Sequence, residues 1–160
     1  MDKLYKLQPL VLLGGTIFAW FSVYTDFARF YKFYGTLTRI QNCVIPNPVT
    51  TPCFYGAFAF LIAFLWSLYI LKQKVENRIS QQKKLNILLI ASTIFAWSNF
   101  FLGIYQYYAA KNGPKVSCSG IPTDNAILTP CFFGSIIFLL ALIVSITIIR
   151  SNKRVLGSSY

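Results

Sequence analysis

The sequence predicts an all-α integral membrane protein: four transmembrane helices formed by tandem duplication of a helix-loop-helix unit, with both termini cytoplasmic. Three observations predict it. Of 160 residues, 56% are hydrophobic and mean hydropathy is +0.56, too apolar for a soluble domain of this size. The phrase Thr51-Pro52-Cys53-Phe54-Tyr55-Gly56 returns as Thr129-Pro130-Cys131-Phe132-Phe133-Gly134, and each copy leads into an apolar run. The basic residues are divided unequally between alternate connections.

A helix needs about 20 apolar residues to cross a hydrocarbon core of roughly 30 Å. Four stretches meet or approach that length: Leu10 to Phe30, Pro52 to Leu71, Leu85 to Tyr105 and Pro130 to Ile149. They leave room for a single membrane domain over residues 1–160, with one repeat at about 10–71 and the second at about 85–149. The basic start and apolar run of Met1 to Trp20 imitate a signal peptide. The run continues past Trp20 and the sequence begins at Met1, which argues against cleavage.

The first span carries Thr16-Ile17-Phe18-Ala19-Trp20 and ends among Phe27, Phe30, Tyr31, Phe33 and Tyr34, the aromatic crowding expected at a membrane surface. Asp26 is the acidic residue within this span, and Arg29 one turn on is its expected partner. The first outer loop, from Gly35 to Thr51, holds Cys43. Three prolines between Cys43 and Cys53 preclude a regular helix there. Thr51 is expected to N-cap the second span, with Pro52 in the first helical position, where a missing N–H costs nothing. Residues Lys72 to Lys84 form a short, polar, basic connection, too small for a catalytic domain or nucleotide site.

The third span repeats the first: Thr93-Ile94-Phe95-Ala96-Trp97 matches Thr16 to Trp20 at an offset of 77. Tyr105, Tyr107 and Tyr108 renew the aromatic crowding, an Asn112-Gly113-Pro114 turn follows, and Cys118 precedes the last span. Each unit crosses twice, so both copies share one orientation and should be related by an axis along the membrane normal. Small residues stay in step as well. Gly15 and Ala19 match Ser92 and Ala96, while Ala63 and Ser67 match Ala141 and Ser145. Small-xxx-small pairs let helix backbones approach closely in lipid, so a compact bundle is expected.

The net charge of +11 would suggest nucleic acid for a soluble chain, but its placement indicates topology. Lys3, Lys6, Lys72, Lys74, Arg78, Lys83, Lys84, Arg150, Lys153 and Arg154 occupy the termini and the middle connection. Arg29, Lys32, Arg39, Lys111 and Lys115 fall toward the cysteine loops. The ten-to-five division puts the termini in the cytoplasm and the cysteine loops outside, with a bacterial plasma membrane as the expected location. The expected partners are the bilayer and other membrane protein subunits, not nucleic acid.

With no histidine, common haem ligation and histidine-based zinc or proton-relay chemistry are not expected. No metal or cofactor is assigned. Thiols on the outer face meet oxidising conditions, and nine residues separate Cys43 from Cys53 while twelve separate Cys118 from Cys131. The expected pairs are therefore Cys43–Cys53 and Cys118–Cys131, with Cys43–Cys118 an open alternative across the repeats. Cys53 and Cys131 also occupy helix N-terminal turns, where amides and the helix dipole favour a thiolate.

Two outer cysteines per loop on four spans resemble, in topology, the bacterial membrane enzymes that pass electrons from thiols to quinone. Those enzymes use Cys-x-x-Cys, whereas Cys53 is followed by Phe, Tyr and Gly56, and Cys131 by Phe, Phe and Gly134. Tyr31, Tyr34, Tyr107 and Tyr108 are candidates to floor a site for a quinone, carotenoid pigment or other flat lipid, although interface anchoring accounts for them without a ligand. The expected function is a non-enzymatic scaffold or accessory subunit of a membrane complex presenting two disulfide-stapled outer loops. A quinone-coupled thiol:disulfide oxidoreductase is the alternative, and an oligomeric pore or junction-type protein the third reading.

Overall fold

A computed structural model describes residues 2–38, 45–109, 123, 125 and 127–157. It is all-helical: α1 (Asp2–Tyr34), α2 (Pro52–Lys72), α3 (Val75–Ala109) and α4 (Pro130–Gly157), with a 3-10 turn at Pro48–Thr50. All four helices are long and apolar enough to cross a membrane. At about 1.5 Å per residue, the 33 residues of α1 and the 35 of α3 exceed the hydrocarbon core, and both helices outrun the spans expected from hydropathy.

The boundaries have local causes. Helix α1 stops at Gly35, whose φ of +69° is the left-handed conformation that closes a helix. The Gly35 N–H donates to the Tyr31 carbonyl at 2.8 Å. In the loop that follows, Asn47 is buried and donates from Nδ2 to the Leu37 carbonyl, while its Oδ1 accepts the Val49 N–H. The Ile45 N–H donates to the Tyr34 hydroxyl at 3.1 Å. Two side chains thus hold this loop against the end of α1.

Thr51 occupies the N-cap position of α2 and Pro52 its first turn, but the Thr51 hydroxyl makes no capping bond. It donates instead to the Pro48 carbonyl at 2.7 Å, drawn off by the preceding 3-10 turn. The basic connection is largely helical, because α3 begins at Val75 within a run of helix formers lacking Gly and Pro. Arg78 reaches back to the carbonyls of Leu71 (3.0 Å) and Gln73 (2.8 Å), satisfying the free end of α2.

Helix α1 packs against α2 and α4, and α3 against the same two helices. Helices α2 and α4 touch across the diagonal. Their inward stripes correspond residue by residue: Ala57, Phe60, Ala63, Ser67 and Ile70 on α2, and Ser135, Phe138, Ala141, Ser145 and Ile148 on α4, are all buried. Every pair is separated by the 78 positions that separate Cys53 from Cys131. The inward faces of α1 and α3 correspond at 77, with Leu12 and Leu89, Thr16 and Thr93, Val23 and Phe100, and Phe30 and Tyr107 buried in pairs. The stripe recurs every three or four residues, as one face of a helix must.

The eight small residues expected at helix contacts are buried, or, for Ala96, partly buried. Gly15 is the tightest. A Cβ there would lie 2.7 Å from Phe60 Cδ1 and 2.9 Å from Ile137 Cγ2. Phe60 and Phe138 stack on each other with ring centroids 3.6 Å apart and planes at 10°. The diagonal contact is therefore aromatic at its centre, and glycine on α1 makes room for it.

Candidate functional site

Cys53 lies in the first turn of α2, at the head of the stripe that continues through Ala57 and Phe60. Cys131 heads the corresponding stripe of α4. Both side chains therefore turn toward the bundle axis, and their Sγ atoms lie 3.6 Å apart. The expected Cys43–Cys53 bridge is not what forms: Cys53 is a free thiol. The reason is helical phase, since a residue on the inward stripe faces the opposite helix and not the loop before it. Cys43 and Cys118 lie outside the described residues, and with them the Cys118–Cys131 pairing.

The two sulfurs line a cavity of about 50 Å3 between the four helices. Its wall is built from corresponding residues: Phe18 with Phe95, Ala19 with Ala96, Cys53 with Cys131, Gly56 with Gly134, and Phe60 with Phe138. Ser22, Asn99 and Ser135 also line it. Their donors are turned back onto their own helices: Ser22 Oγ to the Phe18 carbonyl, Asn99 Nδ2 to the Phe95 carbonyl and Ser135 Oγ to the Cys131 carbonyl. Aromatic rings and sulfur dominate what remains.

The four tyrosines proposed as a ligand floor are dispersed. Tyr31 and Tyr108 face outward, Tyr107 is buried with its ring at a steep angle to Tyr108, and Tyr34 holds the first loop. Asp26 and Arg29 pair at 3.7 Å as expected, the carboxylate being the more enclosed partner.

The opposite end of the bundle holds polar residues that sequence reasoning missed. Gln82, fully buried, donates from Nε2 to Gln8 Oε1 at 2.8 Å and to Ser145 Oγ at 3.0 Å, which ties α3 to α1 and α4. Asn152 Nδ2 donates to the Tyr5 hydroxyl at 2.7 Å, and Trp66 Nε1 to Gln81 Oε1 at 3.3 Å. The Arg78 guanidinium lies 5.8 Å from the Tyr5 ring centre. At the repeat offset of 77, Gln8 corresponds to Leu85 and Gln82 to Tyr5, so the polar tie breaks the correspondence that holds at the cysteine end. A glutamine in each copy at the same register would have been a visible signal; two at different registers are not. Comparison of the chain with protein-family models, with curated proteins and with solved structures finds no match.

Proposed function

We propose that the protein is a small integral membrane scaffold, an accessory subunit that works through its outer helix faces. The observation that supports this is the small size of the cavity between the four helices. An apolar cavity that accepts a benzene ring has about 150 Å3, whereas the cavity beside the cysteines has about 50 Å3. That space is smaller than the one a single ring needs, which weighs against a quinone or carotenoid ring enclosed beside the cysteines. The outward faces, by contrast, are duplicated: Ile17 and Ile94, Tyr24 and Phe101, and Tyr31 and Tyr108 are exposed in corresponding pairs. Two like faces suit a subunit that joins others in the plane of the membrane.

The recurrence of buried, exposed and cavity-lining positions at offsets of 77 and 78 supports an origin by tandem duplication. Charge placement supports an orientation with Lys6, Lys72, Lys74, Lys83, Lys84 and Arg150 on the cytoplasmic side of a plasma membrane and the cysteine end outside. Lysine modification from outside intact cells by an impermeant reagent should spare Lys83 and Lys84; modification there contradicts the orientation. For the scaffold role, gently extracted protein should run in a larger assembly on native gels. Tyr24→Ala combined with Phe101→Ala should release a folded bundle from it. Wild-type and variant chains that both migrate as the isolated bundle would contradict the proposal.

A further inference from the structure

We propose that Cys53 and Cys131 form a thiol–disulfide exchange site across the α2–α4 diagonal, in which Cys53 resolves a disulfide held by Cys131. The geometry points to it in three ways. Their sulfurs are in contact at 3.6 Å, and a bond of about 2.05 Å needs them to close by roughly 1.5 Å. Room for that closure is present, because both cysteines stand on the wall of the cavity and no ring is wedged between the sulfurs. No hydrogen bond described above joins α2 to α4 beside the cysteines: Gln82 with Gln8 and Ser145, Asn152 with Tyr5, and Trp66 with Gln81 all lie at the other end. The Phe60–Phe138 stack lies two turns deeper.

The step balances without an added oxidant. Cys131 carries a disulfide to a second cysteine thiol, R–S. The Cys53 thiol gives up its proton and its sulfur attacks Cys131 Sγ. The Cys53–Cys131 bond forms, the Cys131–S–R bond breaks, and R leaves as a thiolate that takes up a proton. One disulfide is consumed and one is made, so no electrons are gained or lost overall. The bond moves from a sulfur partner outside the bundle to one inside it, and α2 becomes joined to α4. Because the nucleophile is a thiolate and the cavity wall is apolar, the exchange is slow compared with that of an exposed thiol. The leaving thiol belongs either to one of this chain's own loop cysteines or to another protein.

The test uses the full chain in nanodiscs, equilibrated in mixtures of reduced and oxidised glutathione, quenched by alkylation and mapped by peptide mass spectrometry. The expected result is a Cys53–Cys131 linked peptide that grows as the buffer becomes more oxidising. Cys53→Ser should raise the mixed disulfide on Cys131 at least fivefold over wild type, because the resolving sulfur is gone. Repeating this in a Cys43→Ser, Cys118→Ser background separates the sources: a Cys131 adduct found only with the loop cysteines present assigns R to this chain, and one that persists with glutathione assigns R to an external thiol. If no glutathione ratio yields the linked peptide in wild type, the proposal is overturned, whether or not the serine variant folds. An unchanged Cys131 adduct in a folded Cys53→Ser protein overturns it too.

Discussion

Phe60→Ala should lower the unfolding free energy of the bundle in micelles by about 3–5 kcal/mol, the cost of deleting a buried aromatic ring that its surroundings cannot replace. Phe60 is 2% exposed, stacks on Phe138 and lies against Gly15. It also walls the existing cavity, so its removal enlarges a void of about 50 Å3 and does not open a new, collapsible one. Phe138→Ala should cost a similar amount. The double variant should fall short of the sum by about 0.5–1.5 kcal/mol, the coupling of one aromatic pair. Denaturant unfolding followed by tryptophan fluorescence measures all three. A loss below about 1 kcal/mol for Phe60→Ala would mean that the ring is not at the centre of the packing.

Gly15→Leu is expected to be as damaging, for the opposite reason. Even the first added carbon falls inside the contact distances of Phe60 Cδ1 and Ile137 Cγ2, at 2.7 and 2.9 Å. Ring and branched side chain are both fixed by neighbours, so α1 must move off α2 and α4. Overpacking of this kind costs about 1–3 kcal/mol and more when backbone must shift, and the yield of folded protein should drop sharply. Gly14 supplies the control within the same turn. A Cβ there meets nothing within 4 Å, and the residue faces outward, so Gly14→Leu should leave stability unchanged or slightly improved through better helix propensity. Equal effects at the two glycines would contradict the placement of α1.

How much of this was legible in the sequence depends on which end of the bundle is considered. The repeated phrase located the starts of α2 and α4, and the offsets of 77 and 78 located the small residues, because these are local patterns that recur along the chain; the Asp26–Arg29 pair, which has no counterpart at Gly103 and Gln106, was legible from its one-turn spacing alone. The same repeat contained the cysteine contact. Cys53, Ala57, Phe60, Ala63, Ser67 and Ile70 are spaced at three or four residues, so Cys53 belongs to the inward stripe and not to the loop. Loop spacing suggested a bridge to Cys43, and helical phase overrode it. The Gln8–Gln82–Ser145 tie was not legible, since it joins residues that occupy unlike positions in the two units and depends on the tertiary register of α1 against α3. Hydropathy also cut α1 and α3 short, because the first turns of each carry lysines and glutamines that a helix accommodates and a hydropathy average rejects.

The central claim is that α2 and α4 face each other across the bundle axis with their corresponding residues in register. Cysteine cross-linking in membranes tests it most directly, using a background in which the four native cysteines are replaced by serine. Phe60→Cys with Phe138→Cys replaces two stacked rings, whereas Ile62→Cys with Leu140→Cys replaces two residues at the same offset that are each 50% exposed on the outside. The arrangement predicts rapid disulfide formation within the chain for the 60/138 pair under mild oxidation and none within the chain for the 62/140 pair. Cross-linking of the 62/140 pair within one chain, with the 60/138 pair remaining reduced in a folded protein, would contradict it.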